Sequence, residues 1–419
     1  MHILLLIVYG ALASLGIWKI PFLRNSGIRP GLLWLLFALH VFTGWAHNWI
    51  AYRYFPDHGD IWNYFSLSFL YRHRLLTEFN LFLSDNSTWT YITHNGIVFI
   101  QMLLDLLSFD DMNINTLLFS FPVFLGNVAL FRVFRRRFAD DALAATSVFW
   151  LPSVLFWTAC IYREGMLYML LGFLFYSLDR LFTKPGRRPL WYAIALFLLI
   201  AYFRIAVAIV LIPAILVWRG ARRGLPRPTR WALGAAIFIL VALTLSIPAL
   251  RDPLLRSVAA EQASFQVLEG HSRLPLPTLD GTLTGVWRTF PSAIRNGLFE
   301  PLPGSGGQPL YLAFSIELLL IWIIVIVAAI RALRPSSADR NPTSPARNST
   351  SHAPNLAFAT ACLLFALAGM LTIGFFVPFA GTITRYRSIY LPFLLAPALH
   401  NLRHLPVIQP LNRWLSHRL

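Results

Sequence analysis

The chain has 419 residues and a formal net charge of +17, yet only 13% of its residues are charged and 57% are hydrophobic. A soluble domain carries roughly a quarter charged residues, and a transmembrane barrel would show alternating segments of ~10 residues. The apolar runs here reach 24 residues, do not alternate and are separated by short polar links. They exclude both classes and predict an all-α polytopic membrane protein, in which each ~20-residue helix crosses a core ~30 Å thick.

In chain order, spanning helices are predicted at 2–18, 31–50, 113–132, 142–158, 164–182, 189–203, 205–218, 231–249, 309–331, 355–378 and 387–400, eleven in a single transmembrane domain covering 1–419. The first, "HILLLIVYGALASLGIW", has no basic start and no A-x-A-like site, so it reads as a retained helix rather than a signal peptide. Alternate links, including "FRVFRRRF" (131–138), "KPGRR" (184–188) and "RGARRGLPRPTR" (219–230), carry 23 basic residues against four acidic ones, while the other side has 12 basic and 14 acidic. The positive-inside rule puts the basic side in the cytoplasm, with the N-terminus outside and the C-terminus inside. The basic excess is therefore topological, and nucleic acid is not an expected partner.

Two long outer excursions follow from this topology, 51–112 and 250–308, and a Pro/Ser-rich loop at 332–354 reads as a flexible cytoplasmic link. The run at 97–107 is eleven residues long and reaches only ~17 Å, which suits an interfacial or re-entrant helix. Gln101 and Asp105, four apart, share one of its faces. The stretch 61–83 mixes aromatics and Leu with charges and fits a helix lying on the membrane surface. Cys160 and Cys362 lie inside apolar runs as small core residues, without metal-ligand spacing.

The candidate chemistry lies on the outer side. "FPDHGDIWNYF" (55–65) places Asp57 and Asp60 around a His and a Gly. A plain turn explains such a pattern equally well for Asp57. For Asp60, shielding by Trp62, Tyr64 and Phe65 would raise the carboxyl towards the range of a general base. "IYREGM" brings Arg163 and Glu164 to a tight hairpin, where Glu164 also suits the helix dipole. Arg204 sits at the tip of a hairpin whose arms have only 14 or 15 residues, so it is held below the outer surface, as a functional cation or a snorkelling one. Arg385, Tyr386 and Arg387 precede the last span, either as phosphate-gripping guanidinium groups or as interface anchors. Glu317, inside a helix, needs a partner, for which Arg204 and Arg385 are candidates; His94 of the first outer loop joins Arg163, Glu164 and Glu317 as a substrate-orienting candidate.

Four stretches, "HGDIWNYF" (58–65), "LPSVLFWTACIYREGMLYMLLGFLFYSL" (151–178), "RNGLFEPLPG" (295–304) and "TRYRSIYLPFLLAPA" (384–398), resemble those of bacterial membrane glycosyltransferases of the GT-C fold, in particular relatives in surface-polysaccharide synthesis. The spacing departs from that family: Asp-x-x-Asp after the second span replaces Asp-x-Asp or Glu-x-Asp after the first, so the resemblance carries over to Asp60 better than to Asp57. It implies a polyprenyl-phosphate-linked sugar as donor, a glycan or lipid as acceptor, and inversion at the sugar carbon. It implies Asp60, with Asp57, as the catalytic carboxylates, while guanidinium chemistry makes Arg204, Arg385 and Arg387, with Tyr386 between the last two, the expected donor-phosphate site. Many enzymes of that family need no metal, and a divalent cation on Asp57, His58 and Asp60 stays open without being favoured.

The resulting expectation is a multi-pass protein of the bacterial inner membrane transferring a sugar on its outer face. A polymerase or ligase joining lipid-linked repeat units is the nearest alternative. A lipid or solute transporter would instead show repeat symmetry and polar residues at the bilayer midplane.

Overall fold

The computed structural model describes residues 1–55, 59–86, 89–90, 95–222, 246–270, 272–305, 309–333, 352–403 and 405. These residues are 84% helical and form no strand; the chain is an all-α membrane protein. The α-helices of seven residues or more, in chain order, are α1 (His2–Lys19), α2 (Pro30–Tyr54), α3 (Gly59–Thr77), α4 (Gly96–Ser108), α5 (Met112–Phe138), α6 (Asp141–Phe149), α7 (Pro152–Thr158) and α8 (Arg163–Thr183). After them come α9 (Arg187–Phe203), α10 (Ile205–Arg222), α11 (Pro248–Gln266), α12 (Leu283–Ile294), α13 (Pro309–Leu333), α14 (His352–Phe376), α15 (Ala380–Arg387) and α16 (Leu391–Leu402).

Five helices among the described residues are long and apolar enough to cross a membrane: α1, α5, α8, α13 and the Leu356–Phe376 part of α14. They differ in what surrounds them. The apolar window of α5 is 72% buried and that of α1 only 6%, so α5 is the axis of the bundle and α1 turns most of its surface to the lipid. α8 packs along α5, and the two backbones touch at Gly126 and Gly172, where a Cβ on Gly172 would land on the Gly126 carbonyl oxygen. Small residues at such a crossing are what helix packing in lipid favours.

Local sequence decides the breaks. The expected 142–158 span is two helices, α6 and α7, because Pro152 opens a new helix and forces Leu151 before it into extended backbone (ψ 113°). The expected 387–400 span is also corrected: Arg387 ends the short α15, and α16 starts at Leu391 with Pro392 in its first turn. The α9–α10 hairpin turns at Arg204, whose backbone is extended (φ −159°, ψ 97°). Asp111 caps α5, accepting from the backbone N–H groups of Asn113 and Ile114 at 2.9 and 3.0 Å. The 231–249 span lies for the most part outside the described residues, as does most of the 332–354 loop.

The arginines at the C-terminal end of α5 have structural partners besides any topological role. Arg135 donates to Asp141 (2.6 Å) and to the Ser26 carbonyl (3.0 Å). Arg136 and Arg137 both pair with the buried Asp179 of α8, and Arg132 lies over the rings of Phe22 and Tyr176.

At the opposite end of α5, the 97–107 run is the thirteen-residue α4, packed on α3 and α5. Its shared polar face is buried: Asp105 accepts hydrogen bonds from Gln101 (3.2 Å) and from Asn115 of α5 (2.5 Å). Burial pushes the Asp105 carboxyl above the ordinary aspartate value, against the pull of these hydrogen bonds.

Candidate active site

The site lies at the end of the bundle away from the α5 arginines, where the start of α3, the α7–α8 turn, the tip of the α9–α10 hairpin and α15 meet. Gly59 opens α3 with φ +72°, a conformation that glycine adopts without strain. It sets Asp60 in the first helical turn, where a carboxylate is favoured by the helix dipole. The Asp60 carboxylate accepts a hydrogen bond from the Arg385 guanidinium at 2.6 Å, across 325 residues of sequence.

Behind this pair stands Glu164, 2% exposed, with Arg385 at 3.8 Å on one side and Arg204 at 3.6 Å on the other. The Arg204 guanidinium lies 3.6 Å from the centre of the Tyr386 ring, and Arg385 lies between the rings of Tyr162 (4.9 Å) and Tyr386 (5.1 Å). Two cations and two anions thus alternate. Burial works to depress the Arg385 pKa, but the facing Glu164, Tyr386 and Asp60 outweigh it and hold it above the ordinary arginine value. Burial also pushes the Tyr64 hydroxyl up to about 12, so at neutral pH it is no base.

Asp60, Arg385 and Tyr386 open onto a recess of about 390 Å³, a volume in the range of small-molecule sites. Its walls are aromatic, with Phe55, Trp157, Tyr162, Tyr311, Phe379 and Tyr386. Leu268, Glu269, Gly270 and Ser272 of the long 250–308 segment form one wall. That wall is bound down: the Ala380 N–H donates to the Ser272 carbonyl (2.9 Å) and the Leu274 N–H to the Pro378 carbonyl (2.6 Å). Below the recess, His47 is fully buried among Phe55, Phe156, Trp157 and Tyr162.

Several expectations are corrected by this geometry. Asp60 is not shielded by its aromatic neighbours: its side chain is 47% exposed at the recess mouth, and Trp62 instead donates to the Asn48 carbonyl (3.1 Å). Arg387 does not line the recess. It is 1% exposed and donates to the Glu300 carbonyl at 2.5 Å, a structural contact. Glu317 pairs with neither Arg204 nor Arg385; it accepts from the Ser153 backbone N–H (3.0 Å) at the start of α7, a free helix-end donor, and feels the charge of Arg387. Arg163 donates to Asn95 Oδ1 (2.5 Å) and ties the first long loop to the α8 end. Within "RNGLFEPLPG", Arg295 and Glu300 bind each other (3.0 Å), again a structural pair. Asp57, His58 and His94 lie outside the described residues, and among the described residues no three His, Cys, Asp or Glu stand close enough to hold a metal ion.

Sequence reasoning did not single out Glu269, Trp157, Tyr162 or Tyr311, all of which line the recess. For Glu269 a signal was present, a carboxylate next to glycine in the second long excursion. No protein-family model, no curated protein and no solved structure matches the chain.

Proposed function

We propose that this protein is a membrane glycosyltransferase that moves a sugar from a polyprenyl-phosphate-linked donor to a glycan or lipid acceptor, on the outer face of a bacterial inner membrane. The observation that carries the reading is the 2.6 Å contact between Asp60 and Arg385 at the mouth of the aromatic recess, with Glu164 and Arg204 behind it. The resemblance of four stretches to GT-C enzymes points the same way, as do the apolar helices around the site, which suit a lipid-linked substrate.

In this reading Arg385 is the group that meets the donor phosphate, and Arg204 supports it from behind through Glu164 and Tyr386. A phosphate arriving at Arg385 competes with Asp60 for the guanidinium and frees the carboxylate. Asp60 then takes the proton of the acceptor hydroxyl as that oxygen attacks the sugar carbon. The bond from that carbon to the phosphate oxygen breaks, the pair of electrons leaves with the lipid phosphate, and Arg385 balances the charge that develops there. Attack from the face opposite the leaving phosphate inverts the sugar carbon.

The test is transfer from radiolabelled polyprenyl-monophosphate sugars in membranes holding the wild-type protein, Asp60→Asn or Arg385→Gln. Loss of a general base removes about 10²–10⁴ in rate. Normal transfer by the Asp60→Asn protein, present at wild-type level, would overturn the mechanism. Transfer of oligosaccharide from a lipid diphosphate alone would replace the reading with a polymerase or ligase.

A further inference from the structure

Among the described residues two carboxylates line the recess, and their situations differ. Asp60 is bound to Arg385. Glu269, on the wall made by Leu268, Glu269, Gly270 and Ser272, is exposed and makes no ion pair or side-chain hydrogen bond with any described residue. Exposure alone would make it an ordinary surface carboxylate. Its backbone, however, is fixed against the recess from both sides. On the α11 side, Gln262 donates to the carbonyls of Phe375 (2.9 Å) and Pro277 (3.2 Å) and accepts from the Leu279 N–H (2.7 Å). Arg273 reaches back to the Gln266 carbonyl (2.9 Å) and side-chain oxygen (2.6 Å). Gly270 lets the chain lie on Phe379, whose ring a Cβ would meet at 2.9 Å.

We propose that Glu269 is a specificity-determining residue that holds the acceptor, hydrogen-bonding a pair of adjacent hydroxyls on a sugar ring. The proposal rests on the glycosyltransferase reading and deepens it by naming the acceptor end of the recess. A carboxylate offers two oxygens that only accept, and so it matches two neighbouring hydroxyl donors. Hydrogen bonds to an ionised acceptor are roughly twice as strong as neutral ones. The walls supply the other half of sugar recognition: the half-buried Phe55, Phe265 and Tyr311 line the recess with apolar rings, against which the C–H face of a pyranose can lie. Arg385 is the sole cation lining the recess among the described residues, so a phosphate and a polyol are drawn to different groups.

The experiment is saturation-transfer NMR on the full chain in lipid nanodiscs. The probes are geranyl phosphate and three neutral glycosides: methyl α-glucopyranoside, methyl α-mannopyranoside and methyl β-galactopyranoside. The variants are Glu269→Gln and, as a control on α11, the exposed Glu261→Gln. Expected is saturation of at least one glycoside by the wild type and by Glu261→Gln, falling about fivefold in Glu269→Gln, with geranyl phosphate saturated by all three proteins. A wild type that saturates no glycoside, or a Glu269→Gln protein that saturates it equally, overturns the proposal. A Glu269→Gln protein that also loses geranyl phosphate overturns it too, since the residue would then act on the shape of the recess. Failure of geranyl phosphate on the wild type counts against the donor reading itself, a result readable apart from the glycoside signals.

Discussion

Glu164→Gln is the substitution that most sharply separates a buried charge cluster from a chance surface pairing. Glu164 is 2% exposed and faces Arg204 and Arg385, whose side chains are 19% and 13% exposed. Removing its charge leaves two neighbouring guanidinium groups with Asp60 as the remaining anion, and Asp60 is 47% exposed and screened by water. Breaking a buried ion pair costs about 3–5 kcal/mol. The separations of 3.6 and 3.8 Å are longer than a charge-assisted hydrogen bond, which favours the lower end, about 3 kcal/mol. For a chain of 419 residues the matching loss in apparent Tm is about 3–4 °C. Asp60→Asn removes an equal charge from the same cluster, but solvent screening holds its effect to about 0–1 kcal/mol, and Tm should move by no more than about 1 °C. The assay is thermal unfolding of the detergent-solubilised chain followed by size-exclusion fluorescence, at low and high salt. A Glu164→Gln protein as stable as wild type, or one less affected than Asp60→Asn, would refute the ordering of the cluster.

Three further outcomes follow from other parts of the molecule. Arg387→Gln removes the donor to the Glu300 carbonyl from a site 1% exposed, so it should cost about 1–3 kcal/mol of stability while leaving geranyl phosphate bound to the protein that remains folded; selective loss of that ligand without loss of stability would return Arg387 to the phosphate site. Gly270→Ala pushes a methyl group into the Phe379 ring and should lower sugar transfer several-fold by moving the wall that carries Glu269, with Tm nearly unchanged; full activity would show that the wall is not part of the site. Asp105 has a carboxyl raised by burial, so the folded chain holds a proton that the unfolded chain releases above about pH 4. Its contribution is therefore fully present below that pH and is lost as pH rises through the folded pKa. Asp105→Asn should gain stability over wild type as pH climbs from about 4 until the wild-type carboxyl is charged; a gap that does not change with pH would contradict the assignment.

Much of the architecture is legible in the sequence because it rests on local properties. Apolar runs mark the helices at α1, α5, α8, α13 and α14, whatever lies beside them. Pro152 and Pro392 mark helix starts equally locally, yet hydropathy windows run through both, which is why two expected spans were drawn across real breaks. The same pattern of charge by side named Asp60, Glu164, Arg204 and Arg385 as candidates, since unpaired charges at the ends of apolar helices are expensive.

Which charge meets which is another matter. Glu317 looked like a partner for Arg204 or Arg385 and instead caps α7. Arg387, two residues from Arg385, points into the protein rather than the recess, because on a helix neighbours two apart face different ways. Composition and hydropathy by themselves determined that this is a helical membrane protein. Only the tertiary structure decided that Asp60 and Arg385, 325 positions apart, share a recess with Glu269. The physical reason is range: burial of an apolar helix in lipid depends on about twenty consecutive residues, whereas an ion pair forms only where packing of distant helices brings two side chains within a few ångströms.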